Sequence, residues 1–355
     1  MTATVAQELR ISKVQGENQG IFNFGNGKTL IDLIPGGLSH AATSFVESLK
    51  INSITEKPRR DRRVVVKRRN LYGERAAALI NFYFRAACIP IRYVSNVREW
   101  RRWEARCFEM LNGDRFRAKV INSRTVTLDK LSGDNLWEHM NRGTLTPRML
   151  KAAGNEYRRA HHFESRELGC GWSHGDASMT NVIYNAKTKR ARLIDFEIRH
   201  EKSLPPRARH ADDLLVFLLD MVGRIPTRQW LPFAICFLRA YNNLAVIREL
   251  RKRLIVPSGL ALIWWNVRTN FTPNAKVTRR FQALRRAIDK LELCQSSSDR
   301  YHSVATGSAR NKRRPSITCQ KTRAGIPTSK SRKRAKRDMA KAVSPGMPRK
   351  LPITR

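Results

Sequence analysis

Three polar residues that could bind a divalent cation and accept a proton lie within one short stretch of the chain. Asp176 and Asn181 are five positions apart, and Asp195 follows nineteen positions after Asp176. Mg²⁺ prefers hard oxygen ligands and takes one or two from a protein, with the rest from water and phosphates. A carboxylate beside an acceptor hydroxyl can orient it and take its proton. These residue types therefore suit phosphoryl transfer, with Asn181 and Asp195 as metal ligands and Asp176 as the base.

The residues between these side chains predict the element that positions them. Asn181 leads directly into the apolar run 182–184, and Asp195 ends the run 191–194. A strand, a tight connection and a second strand that ends in an acid form a β-hairpin. Such a hairpin would bring Asn181 and Asp195 side by side at one rim, with Asp176 in the loop before it. The alternative is a hairpin whose polar residues are simply satisfied by hydrogen bonds.

The segment Trp172–Glu197 contains His-Gly-Asp, then Asn181, then Asp195-Phe-Glu. It resembles the catalytic and metal-binding loops of the protein-kinase-like superfamily. It looks most like the branch with His-Gly-Asp, which includes aminoglycoside and choline phosphotransferases, bacterial lipopolysaccharide kinases and RIO-type atypical kinases. The resemblance covers roughly residues 28–225. It implies a two-lobed protein-kinase-like fold, ATP and Mg²⁺ as cofactors, and a hydroxyl-bearing acceptor. It also implies that Asp176 is the catalytic base and that Asn181 and Asp195 bind the metal.

A kinase-like site also needs a strand lysine that holds the α- and β-phosphates and a helix glutamate that orients it. Lys67 follows three valines and resembles that lysine; the alternative is one more exposed lysine in a basic stretch. Glu104 lies in the helix predicted over Val97–Leu111 and resembles the helix glutamate. The alternative for Glu104 is a solvated charge that pairs weakly with a neighbouring arginine.

A glycine-rich segment resembles the loop that covers the phosphates. Gly36, Gly37 and Ser39 lie between two strand-like runs, and glycines let backbone N–H groups approach a phosphate. The rival segment Gly25–Thr29 ends like a Walker A motif, but Phe22 stands where that motif needs a glycine. We interpret Gly25–Lys28 as a hairpin turn.

Other positions show how this chain departs from ordinary protein kinases. His210–Leu215 resembles the start of the helix after the activation segment, and Asp212 is predicted to support the catalytic loop. The alternative for Asp212 is a helix carboxylate that the helix dipole favours. Gly175 replaces the arginine that pairs with a phosphorylated loop, and Glu197 replaces the last glycine of Asp-Phe-Gly. The sixteen residues between Asp195 and Asp212 are too few for a peptide-docking platform.

The order of predicted elements indicates an α+β protein with a β-rich N-lobe and a helical C-lobe. A turn-like basic insertion is predicted over 57–61, between two strand-like runs. The predicted divisions are an N-terminal extension over 1–27, an ATP-binding N-lobe over 28–131, a catalytic and acceptor-binding C-lobe over 132–294, and a disordered basic tail over 295–355.

The formal net charge of +40 predicts polyanionic partners. Residues 295–355 contain seventeen Lys or Arg and two acidic residues, so the excess belongs to the body of the chain as well as to the tail. Hydrophobic residues make up 41% of the chain, which excludes wholesale disorder. The tail could contact nucleic acid or anionic lipid, although Tyr301 is its single aromatic residue and offers little for base stacking.

The six cysteines form no CxxC pair, so neither a zinc ribbon nor a redox motif is indicated. No secretory signal is evident at the start of the chain, and the apolar runs are too short to span a bilayer. We therefore expect a cytoplasmic protein of a reducing compartment without a transmembrane segment. Membrane-surface association through the tail stays open, as does a nuclear location in a eukaryotic host.

These observations predict an ATP- and Mg²⁺-dependent phosphotransferase that moves the γ-phosphate to a hydroxyl of a small molecule, sugar or lipid-linked glycan. One alternative is an atypical serine/threonine protein kinase of the RIO-like type. An alternative of another class is a pseudokinase scaffold, or a protein that binds nucleic acid through its basic tail. The intact set of Asp176, Asn181 and Asp195 argues against a pseudokinase.

Overall fold

A computed structural model describes residues 23–24, 28–29, 51–59, 62–165 and 170–308. The chain divides into two compact units, Met1–Arg300 and Tyr301–Arg355. The first unit holds the sheets and helices described below, and residues 301–308 of the second are helical. The predicted phosphate loop with Gly36, Gly37 and Ser39 lies outside the described residues.

An antiparallel sheet of four strands forms the centre of the N-terminal region, in the order β3-β4-β7-β6. Its strands are β3 (Asn52–Arg59), β4 (Arg62–Arg69), β6 (Ala118–Asn122) and β7 (Thr125–Asp129). Lys67 pairs with Ile54 on one side and with Val126 on the other. Because directly opposite residues share a face of the sheet, Lys67 points the same way as Val126, which is fully buried.

Two helices accompany this sheet: α1 (Gly73–Ala86) and α2 (Val97–Asn112). The side chain of Asn96 caps α2 by accepting hydrogen bonds from the backbone N–H groups of Arg98 and Glu99. The buried residues of α2 recur at helical spacing, which gives the helix one apolar face: Trp100, Trp103, Glu104, Cys107, Phe108 and Leu111. Glu104 is therefore carried into the core by the apolar residues on either side of it.

The C-terminal region is mainly helical. Its helices are α3 (Leu136–Asn141), α4 (Pro147–His161), α5 (Pro206–Arg224), α6 (Thr227–Tyr241), α7 (Leu244–Arg253), α8 (Ala261–Arg268) and α9 (Asn274–Ser308). Most of their apolar faces belong to one continuous core, which also includes residues of the sheet and of α2. The predicted α+β fold, with a β-rich N-lobe and a helical C-lobe, is confirmed.

Short strands bring the predicted catalytic segment into this framework. The hairpin consists of β11 (Val182–Asn185) and β12 (Arg190–Leu193), which are antiparallel, and β8 (Asp134–Asn135) pairs with β11. After the hairpin, β13 (Ile198–His200) pairs with β5 (Ile91–Tyr93). Two further pairs are small: β1 (Asn23–Phe24) with β2 (Lys28–Thr29), and β9 (Glu164–Ser165) with β10 (Cys170–Gly171). The strands that flank residues 25–27 are thus antiparallel, as a hairpin there requires.

Two predictions about local structure are wrong. The turn-like insertion was expected over 57–61, but its first three residues belong to a strand. β3 extends through Arg59, and Pro58 pairs with Arg63. Proline is tolerated there since β3 is an edge strand of its sheet. Residues 295–308, which were predicted to belong to a disordered tail, are helical instead, because α9 continues to Ser308. Residues 309–355 lie outside the described residues. Among the described helices, none combines the length and the apolar character needed to cross a bilayer.

We expect Gly154→Ala to destabilise the packing of α4 against α6. A Cβ atom at residue 154 would meet the backbone carbonyl oxygen of Phe237 at less than van der Waals distance. The higher helix propensity of alanine favours the substitution by about 1 kcal/mol, but displacing a packed helix costs typically about 1–3 kcal/mol. The free energy of unfolding, measured by urea titration, should therefore fall. Asn155→Ala, at an exposed position of the same helix, should change it by less than about 0.5 kcal/mol; equal effects of the two variants would contradict this account.

Candidate active site

Lys67 lies where the sheet, α2 and the catalytic hairpin meet. Its Nζ atom is 2.8 Å from Glu104 Oε1 and 2.6 Å from Asp195 Oδ1. The residue is 3% exposed and Glu104 is fully buried. The structure therefore brings together the lysine, the helix glutamate and the hairpin aspartate that the sequence singled out separately. The alternatives of an exposed lysine and of a solvated glutamate are wrong.

The charge on Lys67 is maintained by its neighbours. Burial opposes protonation, but the carboxylates of Asp195, Glu104 and Glu197 outweigh it and hold the pKa of Lys67 above its ordinary value. The second oxygen of Glu104 accepts a hydrogen bond of 3.0 Å from the backbone N–H of Phe196. Glu104 thus fixes the lysine on one side and the segment that carries Asp195 on the other.

Asp195 adopts an uncommon backbone conformation, with a φ of +67°. A non-glycine residue in this left-handed region costs roughly 1 kcal/mol or more and persists where the surroundings hold it. The ion pair with Lys67 and the hydrogen bond from Phe196 N–H to Glu104 hold the chain here. The conformation turns the carboxylate toward the lysine, at the end of the hairpin where Asn181 also lies.

Asp176 and Asn181 are joined directly. The side-chain amide of Asn181 donates to the backbone carbonyl of Asp176 at 2.8 Å and to its Oδ2 atom at 3.2 Å. Both residues are buried. Because the NH₂ group is committed to Asp176, the Oδ1 atom of Asn181 is the atom left to act as a ligand. Asp195 likewise uses one oxygen for Lys67 and has a second oxygen to offer.

These two oxygens fit a magnesium ion that takes its remaining ligands from water and a nucleotide. Over the ranges that the structure describes, no cluster of three or more His, Cys, Asp and Glu side chains is arranged to hold a metal ion. The candidate donors are one amide oxygen of Asn181 and one carboxylate oxygen of Asp195, which are hard ligands of the kind that Mg²⁺ prefers.

The catalytic loop is held by α5, through two acids seven positions apart on one face of that helix. Asp213 accepts hydrogen bonds from the backbone N–H groups of His174 at 2.8 Å and Gly175 at 2.9 Å. Asp220 accepts one from Met179 N–H at 2.8 Å. The supporting role predicted for Asp212 is therefore wrong by one residue. Asp212 instead lies 3.1 Å from a ring nitrogen of His200.

Asp213 is anchored in turn by His161. The Nε2 atom of His161 is 3.0 Å from Asp213 Oδ2, and its Nδ1 atom is 2.8 Å from the hydroxyl of Tyr241. Burial lowers the pKa of His161 below its ordinary value. Burial opposes ionisation of Asp213, but His200 and His161 outweigh it and hold the pKa of its carboxyl below the usual range. His161 therefore packs inside the protein between Asp213 and Tyr241.

Arg268 is a residue that the sequence analysis missed. This α8 side chain forms a short ion pair with Asp176 Oδ1, and both residues are buried. Its guanidinium lies 4.6 Å from the ring centroid of Trp264. Burial opposes the charge, but Asp176 and Asp220 raise the pKa of Arg268 above its usual value. No local signal could have revealed this pairing, because 92 positions separate the two residues.

Glu197, which replaces the usual glycine, is also part of the site. It accepts a short hydrogen bond from the side-chain amide of Asn52 and lies 3.7 Å from a guanidinium nitrogen of Arg69. Burial and the nearby Asp195 raise the pKa of Glu197 to about 7. The substitution therefore adds a buried titratable group to the metal-binding segment.

No family model matches this sequence, and neither does any curated protein. Solved structures that are similar to it are distant. A Plasmodium vivax ethanolamine kinase is 8% identical with a TM-score of 0.36, over 71% of this chain and 85% of that one. A Mycobacterium tuberculosis protein in complex with erythromycin is 16% identical with a TM-score of 0.30, over 52% and 51%. The ternary complex of APH(2″)-IIa with streptomycin and ATP is 12% identical with a TM-score of 0.32, over 68% and 98%.

All three TM-scores are below 0.5, so these similarities do not by themselves assign a role to this chain. The functional assignment therefore depends on this chain's own site, where a strand lysine contacts both a helix glutamate and the hairpin aspartate.

We expect Glu104→Gln to destabilise the fold strongly. The substitution removes a carboxylate from a buried lysine, and breaking a buried ion pair costs about 3–5 kcal/mol. Lys67 keeps Asp195 as a partner, which places the expected loss near the lower end, about 3 kcal/mol. Glu109→Gln, at an exposed position of the same helix, is the matched control and should cost less than about 1 kcal/mol. Denaturant titration would measure both, and a loss at Glu104 no greater than that at Glu109 would refute the buried pair.

We expect His210 to make the fold less stable in acid. Burial lowers its pKa to about 3 from an ordinary 6.5, and its ring stacks on His161 with centroids 4.0 Å apart. The unfolded chain binds a proton at this histidine below pH 6.5 and the folded chain does not. This contribution to the free energy of unfolding is complete above pH 6.5 and declines as pH falls toward 3, by up to about 1 kcal/mol per pH unit.

The variant His210→Gln isolates this effect. The glutamine amide can still donate to the carbonyl of Trp172, which lies 3.0 Å from His210 Nε2, but it does not titrate. Unfolding titrations of both proteins between pH 4 and 8 should show a shallower acid slope for the variant. Parallel curves would mean that His210 does not carry the acid sensitivity.

Proposed function

We propose that this protein is a phosphotransferase that moves the γ-phosphate of ATP to a hydroxyl of a small molecule, sugar or lipid-linked glycan. The observation that supports this best is the position of Lys67 Nζ between Glu104 and Asp195, with Asp176 and Asn181 on the adjoining loop. A buried ammonium beside a metal-ligand carboxylate is suited to holding phosphates in place. The enzyme class and the use of ATP belong to this proposal.

Each residue then has a role that follows from its chemistry. Lys67 would hold the nucleotide phosphates, and Glu104 would orient Lys67. Asn181 and Asp195 would hold Mg²⁺, which when bound would neutralise charge on the phosphates. The glycine loop with Gly36, Gly37 and Ser39 stays a prediction.

Asp176 would accept the proton of the acceptor hydroxyl. Its Oδ2 atom is held by Asn181 and its Oδ1 atom by Arg268, so the carboxylate has a defined orientation.

Two features favour a small acceptor over a protein. Only a short connection separates β13 from the start of α5 at Pro206, which leaves little surface for docking a peptide. Beside the base, α8 is tied to α1: the hydroxyl of Tyr83 donates to the carbonyl of Leu260 at 2.9 Å and accepts from Trp264 N–H at 3.1 Å. Arg268 contacts Asp176 and lies over the ring of Trp264, so these two side chains border the region next to the base.

We further propose a cytoplasmic location, where ATP is abundant. The described cysteines Cys88, Cys107 and Cys236 are free thiols, in keeping with a reducing compartment. Contact of the basic tail with nucleic acid or anionic lipid remains a prediction from its charge.

We expect Asp176→Asn to lower the rate of phosphate transfer by at least about 100-fold, because an amide cannot take the proton of the acceptor. The assay uses labelled ATP with Mg²⁺ and a panel of hydroxyl acceptors, and it separates small-molecule products from labelled protein. Binding of ATP should change little, since the lysine and both metal ligands are intact.

The matched control is Asp114→Asn, an exposed carboxylate that pairs with Arg192 at 2.9 Å. It should leave the rate within about twofold. Undiminished transfer by Asp176→Asn would show that the base is another group. Label found only on protein would favour the alternative of a protein kinase.

A further inference from the structure

A basic cavity lies where the beginning of α2 meets β5 and β13. Its volume is about 460 Å³. Its charged lining residues comprise five cations and one carboxylate: Arg92, Arg98, Arg102, Arg199, Lys202 and Glu99. None of these residues belongs to the set that surrounds Lys67 and Asp176, so this is a separate feature of the surface.

The positive charge of the cavity is largely uncompensated. Glu99 is already paired with Arg199. Within the part of the chain that the structure describes, Arg92, Arg98, Arg102 and Lys202 form no ion pair. Elsewhere on the protein comparable arginines do find acids, as Arg192 does at Asp114. Within the described residues these four cations are unpaired around one concave surface, which is the arrangement that attracts an anion.

The register of the two strands places two of these cations next to each other. Arg92 on β5 is directly opposite Arg199 on β13, and both line the cavity. Like charges at opposite positions of an antiparallel pair repel and destabilise the pair. Arg199 is 4% exposed, and its guanidinium lies 4.8 Å from the ring centroid of Trp103, so it cannot swing into solvent. An anion between the two strands would offset this repulsion.

We propose that the basic cavity binds a phosphate-bearing ligand, either a soluble phosphate ester or the phosphate of a lipid headgroup. Arginine guanidinium groups match the tetrahedral, multiply charged phosphate because each presents several N–H donors in a fixed fork. Arg98 and Arg102 lie one turn apart on α2, so these two side chains share one face of the helix. The same helix carries Glu104. This inference does not depend on the proposed phosphotransferase activity.

The test compares two double variants of the full-length protein that lose the same charge. Arg98→Gln/Arg102→Gln removes two cations from the cavity, and Arg279→Gln/Arg286→Gln removes two exposed cations from α9. Calorimetric titration with fructose 1,6-bisphosphate, in EDTA so that no metal contributes, should give a dissociation constant raised about tenfold or more by the cavity variant and less than about twofold by the control. Thermal unfolding checks that both variants are folded, and Lys202→Gln provides a single milder change in the same cavity.

Vesicle sedimentation distinguishes the two sources of phosphate. Phosphatidylcholine vesicles that contain phosphatidic acid are compared with vesicles that contain phosphatidylserine at matched surface charge. A cavity-dependent preference for phosphatidic acid without sugar phosphate binding would assign a lipid headgroup, and the reverse would assign a soluble ester. If both double variants weaken binding equally with both probes, or if neither probe binds, the cavity is not a phosphate site and the inference is wrong.

Discussion

A lysine ammonium inside a protein must be matched by nearby negative charge, because removing it from water costs several kcal/mol. Lys67 meets this requirement with Glu104 from α2 and Asp195 from the segment after β12. The two ion pairs of Lys67 therefore hold together three elements that are far apart in the chain. The hydrogen bond from Phe196 N–H to Glu104 also fixes the backbone next to Asp195. The geometry of the candidate nucleotide site follows from this arrangement.

The catalytic loop depends on a different set of contacts. Asp213 and Asp220 project from one face of α5 and receive backbone N–H groups from the loop. His161 then holds Asp213 from the opposite side. Because the acceptors are buried carboxylates and the donors are main-chain groups, these contacts fix the path of the loop through its backbone. Asp176 is thereby presented to Arg268 and Asn181 in one orientation.

The large positive charge of the chain is accommodated in several ways. Arg69, Arg199 and Arg268 lie over tryptophan rings at 4.5, 4.8 and 4.6 Å, where the ring faces favour a cation. Arg268 in addition neutralises the base, and Arg199 pairs with Glu99. Within the described residues, Arg92, Arg98 and Arg102 of the basic cavity form no ion pair. The net charge therefore does not indicate a single polyanionic partner, because the arginines have different roles at different sites.

The sequence by itself determined the fold class, the hairpin and the identities of the chemical groups, because apolar periodicity and the order of Asp176, Asn181 and Asp195 are local properties of the chain. It located Lys67 and Glu104 individually but could not decide that they touch, since 37 residues separate them. It chose Asp212 over Asp213, because two adjacent acids in a helix look alike until the direction of each side chain is known. Arg268 and the facing pair Arg92 and Arg199 came only from the tertiary structure, in which α8 reaches the base and β5 pairs with β13. Contacts of this kind depend on the packing of distant elements, to which no local pattern in the sequence corresponds.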